Sequence, residues 1–409
     1  MLYGNAVVGQ SGGPTAAINA TLAGVIRGAR DAECIGKIYG MRNGIEGFME
    51  GRLVELNTLS EDEDALRTLE QTPAAALGSC RKKLPDPENA DSEAFYGKLF
   101  SVIEEYGIKY FFYIGGNDSM DTVAKMSRYA EKKGIEIRII GVPKTIDNDL
   151  ALTDHTPGFG SAAKYIAATT GEIIRDCSVY TVRAVTIVEI MGRDAGWLTA
   201  SSAIGRVVNG TAPDYVYLPE RDFCMESFFT DIEKGFEKHP NVVIAVSEGL
   251  RFSDGRYVGE GTQSGSTDVF GHKYLAGTGK ALELAVKEHF GCKVRSVELN
   301  LPQRCAGHLL SLTDIEESVR IGRAAVEAAL EGVSGEVMVF VRREDTRYVC
   351  DTEHRSARGI ANATRYVPDE FIVSEGNNVT DECCRYLLPL IAGEYMVKFS
   401  LGLPEHIIL

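Results

Sequence analysis

The chain has 409 residues, 44% hydrophobic and 25% charged, with a formal net charge of −15. That length predicts two domains with an ordinary soluble core, and the charge argues against nonspecific binding to nucleic acid or anionic membranes, while a local cluster of Arg and Lys can still serve small anionic substrates. Nine cysteines without CxxC spacing, a start with no basic and apolar leader, and no apolar run near the ~18 residues of a membrane span predict a reducing, cytoplasmic setting without a transmembrane segment.

Residues 6–8 form the first β-rich run. They lead into Gly9-Gln10-Ser11-Gly12-Gly13-Pro14-Thr15 and then a helical pattern over 16–30. Glycines in that position let backbone N–H groups approach oxyanions at a helix start. The turn is neither GxGxxG nor GxxxxGK[ST], and a tight strand-to-helix turn explains it as well. Residues 58–70 are acidic and read as an exposed helix. A strand over 110–114 leads to Gly115-Gly116-Asn117-Asp118-Ser119 and a helix to about residue 132. Asp118 and Asn117 suit Mg²⁺, which prefers oxygen ligands, or a helix cap.

A strand over 135–142 leads through Pro143 and Lys144 to Thr145-Ile146-Asp147-Asn148-Asp149. Two carboxylates this close beyond a buried strand are costly to desolvate unless a metal, a cation or a proton meets them. Beside Lys144 they suit proton handling next to an anionic substrate, or an acidic turn that caps a helix. A strand over 184–190 reaches Met191-Gly192-Arg193, with a helix predicted over 195–204. Arg193 is suited to clamping phosphoryl oxygens or to a surface ion pair. A strand over 242–246 ends at Ser247-Glu248-Gly249. Residues 255–279 are rich in Gly and Ser and read as a long loop. A helix over 314–330 is expected to start with a capping box of Thr313 and Glu316. The alternation predicts βαβ units, with all these turns at the carboxyl ends of parallel strands, where ligands collect.

Together, Gly12-Gly13, Leu77-Gly78-Ser79-Cys80-Arg81, Gly115 to Ser119, Pro143 to Asp149, Met191-Gly192-Arg193, Glu248 and Gln303-Arg304 resemble the phosphofructokinase family, in family order over residues ~5–340. Asp118 and Lys144 resemble the group that uses inorganic pyrophosphate, because ATP-using members carry Gly at both places. Asp154-His155-Thr156-Pro157-Gly158-Phe159-Gly160-Ser161-Ala162-Ala163, Phe270-Gly271-His272 and Glu375-Gly376-Asn377-Asn378-Val379-Thr380-Asp381 are similar to that group too. Asn117 and Leu301 depart from the family pattern.

The resemblance implies an α/β fold of two mainly parallel sheets with the site between them. It places 1–158 and 303–345 in a donor domain, and 159–302 and 346–409 in a sugar-phosphate domain. It implies reversible phosphoryl transfer from pyrophosphate to the 1-hydroxyl of fructose 6-phosphate, a step of glycolysis and gluconeogenesis. By resemblance Asp147 is the general base, with Arg193, Lys144 and Asp118 also catalytic. Gly12, Gly13, Arg81, Lys144 and Ser119 hold the donor. Thr145, Asp147, Asp149, Met191, Gly192, Arg193, Glu248, Arg295 and Arg304 hold the sugar phosphate. Asn117, Asp118 and Asp149 hold Mg²⁺, and Arg295 reaches a neighbouring subunit of a homodimer or homotetramer. Rival readings are an ATP-dependent enzyme, a sedoheptulose 7-phosphate kinase and a silent sugar-phosphate-binding regulatory subunit.

Overall fold

The computed structural model describes residues 2–260, 277–345, 347–360 and 363–409. Its principal strands are β1 (Gly4–Gln10), β2 (Ile35–Met41), β3 (Leu53–Glu55), β4 (Ile108–Gly115), β5 (Arg138–Pro143), β6 (Ala184–Ile190), β7 (Tyr215–Tyr217), β8 (Asn241–Ser247), β9 (Lys293–Glu298), β10 (Glu336–Arg342) and β11 (Cys350–Ser356). They form a seven-stranded sheet in the order β11-β10-β5-β4-β1-β2-β3 and a four-stranded sheet in the order β7-β8-β6-β9. The second sheet is parallel throughout, and the first is parallel except at its edge strands β3 and β11.

The central strands are apolar on both faces, as sheets covered by helices require. On β4, Tyr110, Phe112 and Ile114 pack into one layer with Ile18, Leu22 and Ile26 of the helix Ile18–Arg30, and with Ile321 and Ala325 of the helix Leu312–Leu330. The alternate residues Phe111 and Tyr113 face the opposite layer, beside Tyr96, Leu99, Met120 and Val123. Each such side chain, fully buried, contributes roughly 1.5–3 kcal/mol. In the smaller sheet Val188 and Ile190 join a layer around Trp197, while Val185 and Ile187 pack beneath Phe228 and Ile232.

Several local expectations are corrected. The acidic stretch is two helices, Asn57–Ser60 and Glu63–Gln71, and the second is amphipathic: Leu66, Leu69 and Glu70 are buried, with Glu70 2.5 Å from the buried Arg27 guanidinium. The helix at 312 is capped by Ser311, whose hydroxyl accepts from the Asp314 amide; Thr313 lies inside it. Asp314 instead accepts from the Gly158 and Ser161 amides at 2.8 and 2.9 Å, so it caps the helix Phe159–Ser178. The helix expected over 195–204 is two short pieces, Trp197–Ser201 and Gly205–Asn209. Most of the Gly/Ser-rich stretch, with Phe270-Gly271-His272, lies outside the described residues.

Strand β11 belongs to the large sheet although it follows residue 345. After it the chain crosses to the smaller sheet, where Val367, Ile372, Val379, Cys383, Cys384, Leu387 and Leu390 join the Trp197 layer. It then returns, and the carbonyls of Lys398 and Glu405 accept from Gln71 Nε2 at 2.9 and 2.8 Å. No helix among the described residues is long and apolar enough to cross a membrane.

Candidate active site

The carboxyl ends of β1, β4, β5, β6 and β8 open onto one cleft of about 530 Å³. From β1 come Ser11, Gly12 and Gly13. Gly12 has φ +78°, and a Cβ there would stand 3.2 Å from the Lys144 ammonium, so glycine is needed both for the turn and for the approach. The Gly12 amide donates to the Cys80 carbonyl at 3.3 Å and Ser79 Oγ donates to the Gly12 carbonyl at 2.7 Å, which ties this turn to the segment bearing Arg81.

From β4, the helix Asn117–Lys133 begins at the cleft, placing Asn117, Asp118 and Ser119 on its wall. Asp118 Oδ1 lies 3.2 Å from Lys83 Nζ. Asn117 Oδ1 is buried without a hydrogen-bond partner.

From β5, Lys144 enters the site only 2% exposed, and its ammonium donates to the Gly13 carbonyl at 2.6 Å. Burial pushes it down to about 8, against the pull of Asp147 and Asp149. Relative to its ordinary value, that is a charging penalty of roughly 3 kcal/mol, which a polyanion would offset. Thr145 Oγ1 accepts from the Asp147 amide at 3.1 Å and shapes the loop. Asp147 and Asp149 keep some surface open to the cleft yet sit deep in the protein. Burial raises Asp147 above the usual carboxylate range, against Lys144 and Arg193. Asp149 is pushed up to about 7, first by burial and then by the charge of Asp147.

From β6 come Met191, Gly192 and Arg193. Gly192 has φ +127°, and a Cβ there would meet the Ala195 carbonyl at 2.6 Å. From β8, Glu248 accepts from the Gly192 amide at 3.3 Å; burial pushes its carboxyl up to about 8. Gln303 is buried and accepts from the Met191 amide at 3.2 Å, while its neighbour Arg304 lines the cleft. Leu301 is exposed.

The cleft thus gathers Gly12, Gly13, Arg81, Asn117, Asp118, Ser119, Lys144, Thr145, Asp147, Asp149, Met191, Arg193, Glu248 and Arg304. Gly192 stands behind the wall, joined to Glu248. Arg295 is elsewhere, exposed on the edge strand β9. Asp194, the last residue of the turn after β6, lines it as well, as do residues that the sequence does not single out, among them Lys82, Lys83 and Thr364. The basic run after Cys80 was a signal for the two lysines; nothing local pointed to Thr364. The cations Arg81, Lys82, Lys83, Lys144, Arg193 and Arg304 oppose the global negative field and suit a polyanionic ligand.

The donor set fits a hard divalent cation. Asn117 Oδ1 is an unpaired buried acceptor, and Asp149 and Asp147 repel each other across a desolvated space. Elsewhere, His155, Glu317 and Cys350 bring potential ligand atoms within 4.8 Å of one another. Both imidazole nitrogens are already engaged there, Nδ1 with Asp154 Oδ2 at 2.9 Å and Nε2 with Glu317 Oε2 at 2.7 Å. Burial alone would lower the pKa of His155, but the two carboxylates outweigh it and raise it, which favours the charged bridging ring, and both of its nitrogens are already taken. Burial pushes the Cys350 thiol up to about 12, so it stays protonated.

This bridge has a stability signature. His155 is raised above its ordinary 6.5, so its contribution is fully present below that pH and is lost as pH rises through the folded value. Asp154, held down to about 2, contributes above its ordinary 3.8 and is lost as pH falls through about 2. His155→Gln is expected to destabilise the fold most at mildly acidic pH, with the gap to the parent narrowing as pH rises. Urea unfolding at several pH values checks this, and a gap independent of pH would refute the charged bridge.

Comparison with known proteins gives a consistent result. The family model described as Phosphofructokinase matches residues 5–329. A pyrophosphate--fructose 6-phosphate 1-phosphotransferase of Halomonas elongata is 40% identical over 408 residues, covering 99% of this chain and 96% of that protein. One of Methylococcus capsulatus is 39% identical with the same coverages. The crystal structure of a pyrophosphate-dependent phosphofructokinase from Nitrosospira multiformis matches with a TM-score of 0.89 at 35% identity, over 99% of this chain and 96% of that one.

Proposed function

The chain belongs to the phosphofructokinase family, and we propose that it transfers a phosphoryl group reversibly from pyrophosphate to the 1-hydroxyl of fructose 6-phosphate, giving fructose 1,6-bisphosphate and phosphate. The observation that carries the donor assignment is the buried Lys144 ammonium beside Gly12 and Gly13, in the same cleft as the helix start that bears Asp118. A small, dense polyanion matches that short cationic slot. The Asp118 carboxylate repels a further phosphate extending past it.

In this reading Asp147 takes the proton of the 1-hydroxyl; its raised pKa makes its ionised form a stronger base. Lys144, Arg81, Ser119 and the Gly12-Gly13 backbone hold the pyrophosphate. Arg193 offsets charge on the transferring group. Thr145, Asp149, Met191, Gly192 and Arg304 position the sugar phosphate. Glu248, protonated near neutrality, can donate to a sugar hydroxyl while its other oxygen accepts from Gly192. Mg²⁺, held by Asn117, Asp118 and Asp149, would neutralise phosphate charge when bound.

We assign the large sheet to donor binding (1–158 and 303–345, with β11) and the smaller sheet to the sugar phosphate (159–302 and most of 346–409). Exposure of Arg295 on an edge strand, away from its own cleft, supports a role in a neighbouring copy within a homodimer or homotetramer. The nine thiols, none in a disulfide, fit the cytoplasm.

The test compares pyrophosphate with ATP as donor at matched concentration, with and without Mg²⁺. We expect fructose 1,6-bisphosphate from pyrophosphate only, and loss of activity after chelation that Mg²⁺ restores. Activity with ATP alone would overturn the assignment of Asp118 and Lys144, and activity in metal-free buffer would overturn the metal assignment.

A further inference from the structure

The extension beyond residue 345 has no part in the mechanism above, yet one short piece of it bonds the loop after Asp147 directly and reaches the turn after Arg193 through Trp197 and Glu220. Thr364 lines the cleft and bridges Leu150 in antiparallel fashion. The Arg365 amide donates to the Asp149 carbonyl at 2.8 Å, and the Arg365 carbonyl accepts from Trp197 Nε1 at 3.0 Å. The Val367 amide donates to Glu220 Oε1 at 2.9 Å, and the same oxygen accepts from the Gly196 amide at 2.8 Å. One extended stretch of backbone is therefore hydrogen-bonded to the loop after Asp147 on one side and, through Trp197 and Glu220, to the turn after Arg193 on the other.

The Arg365 side chain reinforces both links. Its guanidinium lies 4.2 Å from the Trp197 ring, donates to the Asn148 carbonyl at 3.5 Å, and donates to Tyr386 Oη at 2.8 Å. Asn148 needs outside support. It is fully buried with φ +55°, and neither polar atom of its side chain has a partner, so its own amide does not hold the left-handed conformation. What fixes it is the Arg365 contact and the adjacent bridge at Leu150.

We propose that residues 364–367 are a brace that sets the spacing of the Asp147 loop against the Arg193 turn, with Arg365 as its positioning residue. A general base and a charge-stabilising arginine on separate loops must be held to a fraction of an ångström to act on one phosphoryl group. The kinetic part of the proposal rests on the activity proposed above; the structural part does not.

The test uses Arg365→Met and Arg365→Lys in the full chain. The first removes the guanidinium. The second keeps a cation over Trp197 but loses the fork to Asn148 and Tyr386. Trp197 is the sole tryptophan, so its emission reports whether each variant folds around the brace. Hydrogen exchange is expected to speed up about tenfold at amides 146–149 and 193–197 in Arg365→Met, with the amides of β1 unchanged. Turnover is expected to fall about tenfold or more with both KM values within about threefold, and Arg365→Lys to restore part of both effects.

Exchange within about twofold of the parent at either turn would overturn the brace, as would a uniform rise across the chain, which marks a merely structural residue. If Arg365→Met fails to fold, the exchange pattern of Arg365→Lys decides. A parent enzyme inactive with pyrophosphate would sink the functional reading and leave the exchange result to judge the brace alone.

Discussion

Replacing Asp147 by Ser is expected to lower turnover by ~10²–10⁴-fold while fructose 6-phosphate still binds with affinity close to that of the parent. The residue sits where three constraints meet. Burial raises its pKa, Lys144 and Arg193 pull it back, and the Thr145 hydroxyl fixes its backbone by accepting from its amide. A carboxylate so placed is a stronger base than an ordinary one, and the two cations beside it favour its ionised form. Serine keeps the amide that bonds Thr145 and removes only the base, so the loss should fall on kcat. Steady-state kinetics with calorimetric titration of fructose 6-phosphate makes the measurement. Turnover equal to the parent would remove Asp147 from the role of base, and a parallel loss of sugar-phosphate affinity would make it a binding residue. The same variant separates an enzyme from a silent sugar-phosphate-binding subunit, which has no turnover to lose.

Lys144→Met is expected to lower kcat/KM for pyrophosphate by ~10²–10³-fold, with the KM for fructose 6-phosphate little changed. The ammonium is buried and donates to the Gly13 carbonyl, so it both orders the glycine turn and supplies the deepest positive charge of the cleft. Its pH dependence is a second readout. Burial lowers it to about 8, so in the free enzyme the charge is present below that pH and is lost above it. With fructose 6-phosphate saturating, so that the sugar hydroxyl holds Glu248 protonated, the kcat/KM profile for pyrophosphate should therefore fall on the alkaline side near pH 8, and this limb should be missing in Lys144→Met. Bound pyrophosphate favours the charged form, so the kcat profile should bend at higher pH. An alkaline limb that persists in the variant would assign it to another group.

Much of this protein was legible before its fold was known, and the particular residues show why. The strands at 110–114, 184–190 and 242–246 are short apolar runs closed by glycine-rich turns, a pattern written entirely in neighbouring residues. Gly12, Asp118, Lys144, Asp147, Arg193 and Glu248 could be picked out because each follows closely on the end of an apolar strand, and parallel sheets gather those ends at one edge. Local chemistry of this kind survives any reasonable packing, so the sequence alone determined the fold class and the chemical character of the cleft.

Tertiary structure decided what depends on distance rather than order. Ser311 rather than Thr313 caps its helix, because the chain turns helical at Leu312, and Asp314 reaches across to cap the helix that starts at Phe159. Glu70, expected on an exposed helix, is buried because Arg27 lies across from it. Arg365 meets Asn148 across 217 residues of chain, and no periodicity or motif announces a contact of that separation. The pKa values of Lys144, Asp149 and Glu248 likewise follow from desolvation and from charges on other strands. Sequence patterns specify which groups a turn carries. Only packing sets how far each is withdrawn from water and what stands opposite it, and those two quantities govern its protonation and its reach.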